Sequence, residues 1–337
     1  MSSSPTPNPW STNPTHTGFI PVTKIHSLHA TISGPLRTPK TSLTIIIPGV
    51  GATATEWSAV QRQLSQETRC LLYSRSGHGP SSSLAGPITA VSIASELIAL
   101  LEAADLPGPY ILIAHSWGGI IAREFLHLRN EEVGGIVFVD ANQELNTTLD
   151  QWCSPFVFAM WKDVGIYDVT GIRSHTSLLA SEWDAFQSEV QTPKYALVTA
   201  QEMAAYRPSG PVLAAKRQLE AEEPVMGNRP VSVVKGNSLR DFKVVYEAGL
   251  ARGNGTVEER RLYEEFIEPV SREVRDQGWQ RGNLRLSGNG RFVRTRGQWT
   301  GHNVHLTEPE IIVEEVRWLL GELTDVLSGS NGSKVLG

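Results

Sequence analysis

The stretch Ile111-Leu112-Ile113-Ala114-His115-Ser116-Trp117-Gly118-Gly119 constrains the fold more than any other part of this sequence. Residues 110–114 read as a buried strand, and Gly118-Gly119, continued by Ile121, Phe125 and Leu128, read as a helix that begins at once. A strand that turns straight into a helix holds its corner residue in a strained conformation, with the side chain presented above the sheet edge. Small residues on either side let the two backbones pass close to each other, and Ala114 and Gly118 supply them. A serine at such a corner, next to N–H groups at a helix N-terminus, has the setting of a nucleophile. The pattern is G-x-S-x-G with Ala114 at the first glycine position, and it makes Ser116 the candidate nucleophile.

The rest of the chain places that corner in an α/β layout. Apolar runs at residues 44–47, 69–73, 110–114 and 135–139 read as strands, separated by helical patterns at 56–66, 89–104 and from 118 onward. Strands this apolar, alternating with helices, predict a mostly parallel, doubly wound sheet covered on both faces. The alternation stops at residue 142. Residues 142–229 hold no comparable strand and carry Trp152, Phe156, Phe158, Trp161, Trp183 and Phe186 among short helical pieces. Strand-like sequence returns at 231–234 and 291–294, with a helix predicted over 257–277, bent at Pro269, and a last helix over 308–323. The expected organisation is an N-terminal arm without fixed structure (1–17), an α/β core (18–141 and 230–327), a helical cap insertion (142–229) and a flexible tail (328–337).

Composition narrows the function classes. Hydrophobic residues make up 40% of the 337 and charged residues 19%, the balance of a globular chain. A net charge of −5 gives no reason to expect nucleic acid or an anionic membrane as partner, and no apolar run approaches the length needed to span a bilayer. Cys70 and Cys153 form no disulfide framework or metal motif, and sequons at Asn146, Asn254 and Asn331 matter only on a secreted chain. The expectation is a cytoplasmic enzyme with no metal and no organic cofactor; nothing in the sequence speaks to its oligomeric state.

Three further motifs stand in order around Ser116: Ile47-Pro48-Gly49-Val50-Gly51 between a strand and a helix, Tyr73-Ser74-Arg75-Ser76-Gly77-His78-Gly79-Pro80-Ser81 after a strand, and Thr300-Gly301-His302-Asn303-Val304-His305-Leu306 before the final helix. Together with the serine corner, this order from about residue 42 to 320 resembles an α/β-hydrolase with a helical cap, similar to esterases and to lactone or C–C bond hydrolases. The resemblance departs from the family pattern at Pro48, where His is common, and at Ser74, where Asp is usual.

The resemblance implies roles. His302 becomes the base, with His305 a packing residue and the near alternative. The N–H groups of Val50 and Trp117 become the oxyanion hole. The acid is Asp140, at the end of its strand as in haloalkane dehalogenases, or Asp241 after the next strand; Asp140 is favoured, and Asp241 is otherwise an exposed loop carboxylate. Arg75 is expected to tie neighbouring loops and His78 to be structural. Trp152, Phe156, Trp161 and Trp183 are candidates for binding a bulky hydrophobic small molecule, an ester, thioester or lactone. The rival readings are a non-hydrolytic use of the same triad (lyase, acyl transfer or cyclisation) and a non-catalytic ligand-binding protein.

Overall fold

The computed structural model describes residues 7–84 and 86–328. Its strands are β1 (Thr15–Pro21), β2 (Ser27–Ser33), β3 (Leu43–Ile47), β4 (Arg69–Tyr73), β5 (Tyr110–His115), β6 (Val133–Val139), β7 (Val231–Lys235) and β8 (Gly290–Arg294). They form one sheet in the order β1-β2-β4-β3-β5-β6-β7-β8. Strands β3 to β8 pair in parallel, while β1 and β2 join antiparallel at one edge. Every residue of β3, β4, β5, β6 and β7 is buried, as strands covered on both faces must be. Each fully buried Ile, Leu or Val contributes about 1.5–3 kcal/mol, so these strands, not the surface ion pairs, carry the stability.

Helices cover both faces. Ala90–Ala103 and Gly118–Leu128 pack on one through Ile93, Leu97, Ile121 and Phe125; Ser58–Leu64 and Pro309–Ser328 cover the other through Val60, Leu64, Ile312 and Val316. Thr89 caps the first of these, its hydroxyl accepting from Ser92 N. No helix among the described residues is long and apolar enough to cross a membrane.

Four expectations need correcting. The arm expected to lack structure is ordered from residue 7 onward. Pro9–Thr12 is a short helix, and Trp10 is buried in the core. The buried Arg69 guanidinium fastens this segment by donating to the carbonyls of Trp10, Asn13 and Pro14. Residues 1–6 lie outside the described residues, as do 329–337 of the expected tail. Second, β2 alternates partly exposed and buried residues and β1 buries Ile20 alone, the pattern of an edge hairpin with one face toward water, so no apolar run announced them. Third, Pro269 does not bend one helix but begins a new one: Val257–Phe266 ends before it and Pro269–Gly282 starts with it, where the missing N–H costs nothing. Fourth, residues 193–214 form one 22-residue helix despite Pro208 and Pro211, not short pieces.

The topology marks where a ligand can bind. From β3 the chain moves to β4 on one side, then crosses to β5 on the other. At such a reversal the loops leaving the carboxyl ends of two adjacent parallel strands diverge and open a crevice. Here those loops carry Gly49-Val50 after β3 and Ser116 after β5. The helices between β6 and β7 lie over this edge together with those between β7 and β8. Phe156, Val157 and Met160 from the first group share one apolar cluster with Tyr246, Tyr263 and Phe266 from the second. The roof is therefore built from both connections rather than from 142–229 alone.

Candidate active site

Ser116 sits at the turn with φ of +52°, a left-handed conformation that a non-glycine residue holds only when its surroundings impose it. They do: a Cβ on Gly118 would lie 2.2 Å from Ile47 O, so the β5 corner and the β3 end interlock only with glycine there. Gly49 is equally constrained, since a Cβ on it would meet Ser116 Cβ at 2.8 Å. The loop after β3 thus lies directly against the serine. Its Gly51 N–H is taken by Glu202 Oε2 at 2.7 Å, whereas the N–H groups of Val50 and Trp117 have no backbone or side-chain acceptor among the described residues.

That loop is held from behind. Arg75 Nη1 donates to Pro48 O and Nη2 to Gly49 O, both at 2.7 Å, and its guanidinium pairs with Glu202 at 3.0 Å. His78 Nε2 also meets Glu202 Oε1, at 3.1 Å. Burial opposes ionisation of Glu202, but Arg75 outweighs it and holds the carboxyl below its ordinary range. Arg75 therefore ties the loops as the sequence suggested. Glu202 was not legible there: it is the single acid of the helix Pro193–Ala214, 127 residues after Arg75, and nothing local ties the two together.

His302 faces the same cavity as Ser116. Its Nδ1–H donates to Asp140 Oδ2 at 2.7 Å, which leaves Nε2 as the free basic nitrogen. Asp140 ends β6 with φ of +39° and is saturated: Oδ1 accepts from Gly236 N at 3.0 Å, Gln280 Nε2 at 2.7 Å and Lys235 Nζ at 3.2 Å. Burial opposes the charge on Asp140, but Lys235 and then the His302 hydrogen bond overcome it and keep its carboxyl far below the usual range. On His302 burial again acts against the charge, and the Asp140 hydrogen bond prevails, raising the imidazole above its ordinary value.

Lys235, Asp276 and Gln280 are further residues that sequence reading missed. Lys235, wholly buried, bridges Asp140 and Asp276, the latter at 2.9 Å. Burial would strip its proton, yet the two carboxylates win and raise its affinity for it. A lysine closing a strand that is buried throughout, and Asp276 and Gln280 one turn apart on a helix, were the available signals.

Asp241 is not the exposed loop acid that was expected. It lies in the first turn of the Ser238–Ala251 helix, with its side chain 15% exposed, pairs with Arg240 at 2.7 Å and accepts the backbone N–H of His302 at 2.9 Å. It positions the histidine loop and does not touch the ring's nitrogens. His305 is buried, stacked on Trp57 with ring centroids 4.2 Å apart, and neither of its ring nitrogens has a hydrogen-bond partner. Burial pushes its pKa well down, so it packs as a neutral ring. His115, with a pKa lowered to about 3 by burial, donates Nε2–H to His302 O at 3.0 Å and supports the loop from below.

The Ser116 hydroxyl donates to Asn142 Oδ1 at 3.4 Å, and no hydrogen bond joins it to the His302 ring.

The cavity over Ser116 measures about 300 Å³. Trp152 and Trp161 line it as expected, with Ile166, Phe242 and Val245. Phe156 and Trp183 do not: Phe156 packs edge-on against Tyr263 and Phe266, and Trp183 against Tyr167 and Phe186. Both are core residues of the helical roof. The wall is also more polar than aromatic-rich sequence implied, because Asp150 and Arg272, paired at 3.1 Å, lie in it.

Residues 45–315 match the sequence profile of the Alpha/beta hydrolase family. The chain belongs to this family. An AB hydrolase superfamily protein of Gibberella zeae is 32% identical over 300 residues, covering 86% of this chain and 90% of the relative. A protein of Hormonema carpetanum named "Probable transporter efuK" is 30% identical over 319 residues; the chain spans less than half of it, 44%, while 93% of this chain is covered. Among solved structures, a thermophilic esterase from Thermogutta terrifontis superposes with a TM-score of 0.55 at 16% identity, over 91% of this chain and 99% of that one, a likeness of fold.

Proposed function

We propose that this α/β-hydrolase is a serine hydrolase that cleaves a neutral, largely apolar carboxylic ester or lactone through Ser116, His302 and Asp140. The observation that carries the reading is the 2.7 Å contact from His302 Nδ1 to a saturated Asp140, in a cavity that also holds Ser116 at its strained turn. In this reading Ser116 Oγ attacks the carbonyl carbon as His302 Nε2 takes its proton. The N–H groups of Val50 and Trp117 hold the oxyanion. As the C–O bond breaks, His302 returns the proton to the leaving alkoxide. Water, activated by the same nitrogen, then attacks the acyl-enzyme and releases the acid. Asp140 stays ionised throughout and stabilises the imidazolium. The helices over the sheet edge act as a cap, with Trp152 and Trp161 as apolar walls.

A cavity of about 300 Å³ lies at the small end of ligand sites, which favours a substrate of modest size over the bulky one that aromatic content suggested. The test is turnover of short nitrophenyl esters by the purified chain and by Ser116→Ala. The reading expects hydrolysis that disappears in the variant, by about 10⁴-fold or more. Equal turnover by both proteins contradicts it.

A further inference from the structure

Five carboxyl groups line the cavity over Ser116, and four have a cation beside them: Asp140 and Asp276 share Lys235, Asp150 has Arg272, and Asp241 has Arg240. Glu56 has none. It lies in the short 3-10 turn Thr55–Trp57 and is 6% exposed; Oε2 accepts from Thr53 N at 3.0 Å, while Oε1 has no hydrogen-bond partner among the described residues. Tyr167 and Tyr195, from two helices of the roof, line the same cavity, and the Tyr195 hydroxyl would lie 3.3 Å from a Cβ on Gly51.

We propose that Glu56, with the hydroxyls of Tyr167 and Tyr195, forms a second subsite of the cavity that receives a neutral carbonyl-type oxygen of the substrate, remote from the bond being cleaved. The proposal rests on the cavity being the substrate site. Its basis is placement: a buried carboxyl with one unpaired oxygen and two phenols stand together on the cavity wall, and their protonation accords with it. Burial pushes the Glu56 carboxyl up to about 8, with Glu189 adding to the rise and Arg75 opposing it. Burial likewise raises Tyr195 to about 12 and pushes Tyr167 well above the ordinary phenol value. At neutral pH all three present O–H donors, and a carboxylic acid is a stronger donor than a hydroxyl. An acceptor that enters there gains hydrogen bonds that water otherwise supplies. An anionic carboxylate would enter without a counter-charge, because the nearby Arg75 is already paired with Glu202. The subsite therefore selects a ketone, lactone or amide oxygen over both a methylene group and a carboxylate.

Acetophenone, ethylbenzene and benzoate share a shape and differ in that feature, so calorimetric binding to the full chain carrying Ser116→Ala tests the proposal without turnover. The oxyanion hole can also take a ketone oxygen, and Glu56 variants separate the two. At pH 6.5 acetophenone should bind tighter than ethylbenzene by on the order of tenfold, the worth of one good hydrogen bond, with benzoate weakest. Glu56→Leu should bring the ketone-to-ethylbenzene ratio close to one, and Glu56→Gln, still a donor, should keep it.

Raising the pH through about 8 ionises Glu56 and removes its donor, so the preference should fall in the protein with Glu56 and stay flat in Glu56→Gln. The other titratable groups facing the turn are Glu189, Arg75, Tyr167, Tyr195, His115 and His305; all are retained in Glu56→Gln, which isolates Glu56 from them. The pH comparison also needs no Leu variant, should that one fail to fold. A ketone preference that survives Glu56→Leu, no preference at pH 6.5, or the same pH dependence in Glu56→Gln each overturns the subsite. Fluorophosphonate labelling of the wild-type serine reports separately on the hydrolase reading, so the two can fail independently.

Discussion

Replacing Lys235 by Met should move the pH dependence of the enzyme as well as lower its stability. The lysine ammonium lies 3.2 Å from Asp140 Oδ1, and the other oxygen of that carboxylate is 2.7 Å from His302 Nδ1. The ammonium is therefore within about 8 Å of the imidazole, where a unit charge at an effective dielectric of about 20 is worth about 2 kcal/mol, or about 1.5 pH units. Its charge acts against protonation of His302. In the proposed mechanism His302 is the base and works only when neutral, so activity falls as pH drops through its pKa. That pKa is already raised by Asp140. Without Lys235 it rises further, and the acid limb of kcat/KM against pH should shift upward by about one unit or more. Removing one partner from a buried pair also costs about 3–5 kcal/mol, since Asp276 and Asp140 lose their shared cation. The assay is hydrolysis of a nitrophenyl ester from pH 5 to 9, with active sites counted by fluorophosphonate titration so that misfolded protein does not contribute. A folded Lys235→Met protein whose acid limb does not move refutes the electrostatic argument.

His302→Ala should lose ester turnover by orders of magnitude while His305→Ala keeps most of it per folded molecule, because His305 stacks on Trp57 and offers no nitrogen to the cavity; steady-state kinetics of both variants decide this. Asp241→Ala should lower kcat by about tenfold through a displaced His302 loop, with the pH profile keeping its shape, because Asp241 holds the backbone and not the ring. Phe156→Ala should cost about 3–5 kcal/mol in urea unfolding and leave KM nearly unchanged, since its ring is buried against Tyr263 and Phe266 outside the cavity.

The central sheet was readable because its strands are apolar throughout: residues 44–47, 110–114 and 135–139 announce burial on two faces. The hairpin of β1 and β2 was not, because its alternating Thr, His and Ser positions face water and look like loop sequence. Trp10 shows the same limit, since its burial depends on Arg69, 59 residues away. At the site, Ser116 is marked by local sterics that small neighbours betray. His302 was suggested by order along the chain and Asp140 by its strand end, and the two meet at 2.7 Å. Lys235, Gln280 and Asp276 surround Asp140 from β7 and from a helix some 140 residues after it, and no local pattern carries such a juxtaposition. Aromatic content alone could not separate Trp152 and Trp161, which line the cavity, from Phe156 and Trp183, which hold the roof together.

The most direct test of the account is where, and how fast, a fluorophosphonate reacts. The probe phosphonylates a serine only when a neighbouring base takes its proton. Intact-mass and peptide-mass spectrometry on the wild type should show one adduct, on Ser116, with labelling slowed by orders of magnitude in Asp140→Asn, whose amide holds His302 in the wrong tautomer. No adduct on Ser116, or equally fast labelling in Asp140→Asn, contradicts it.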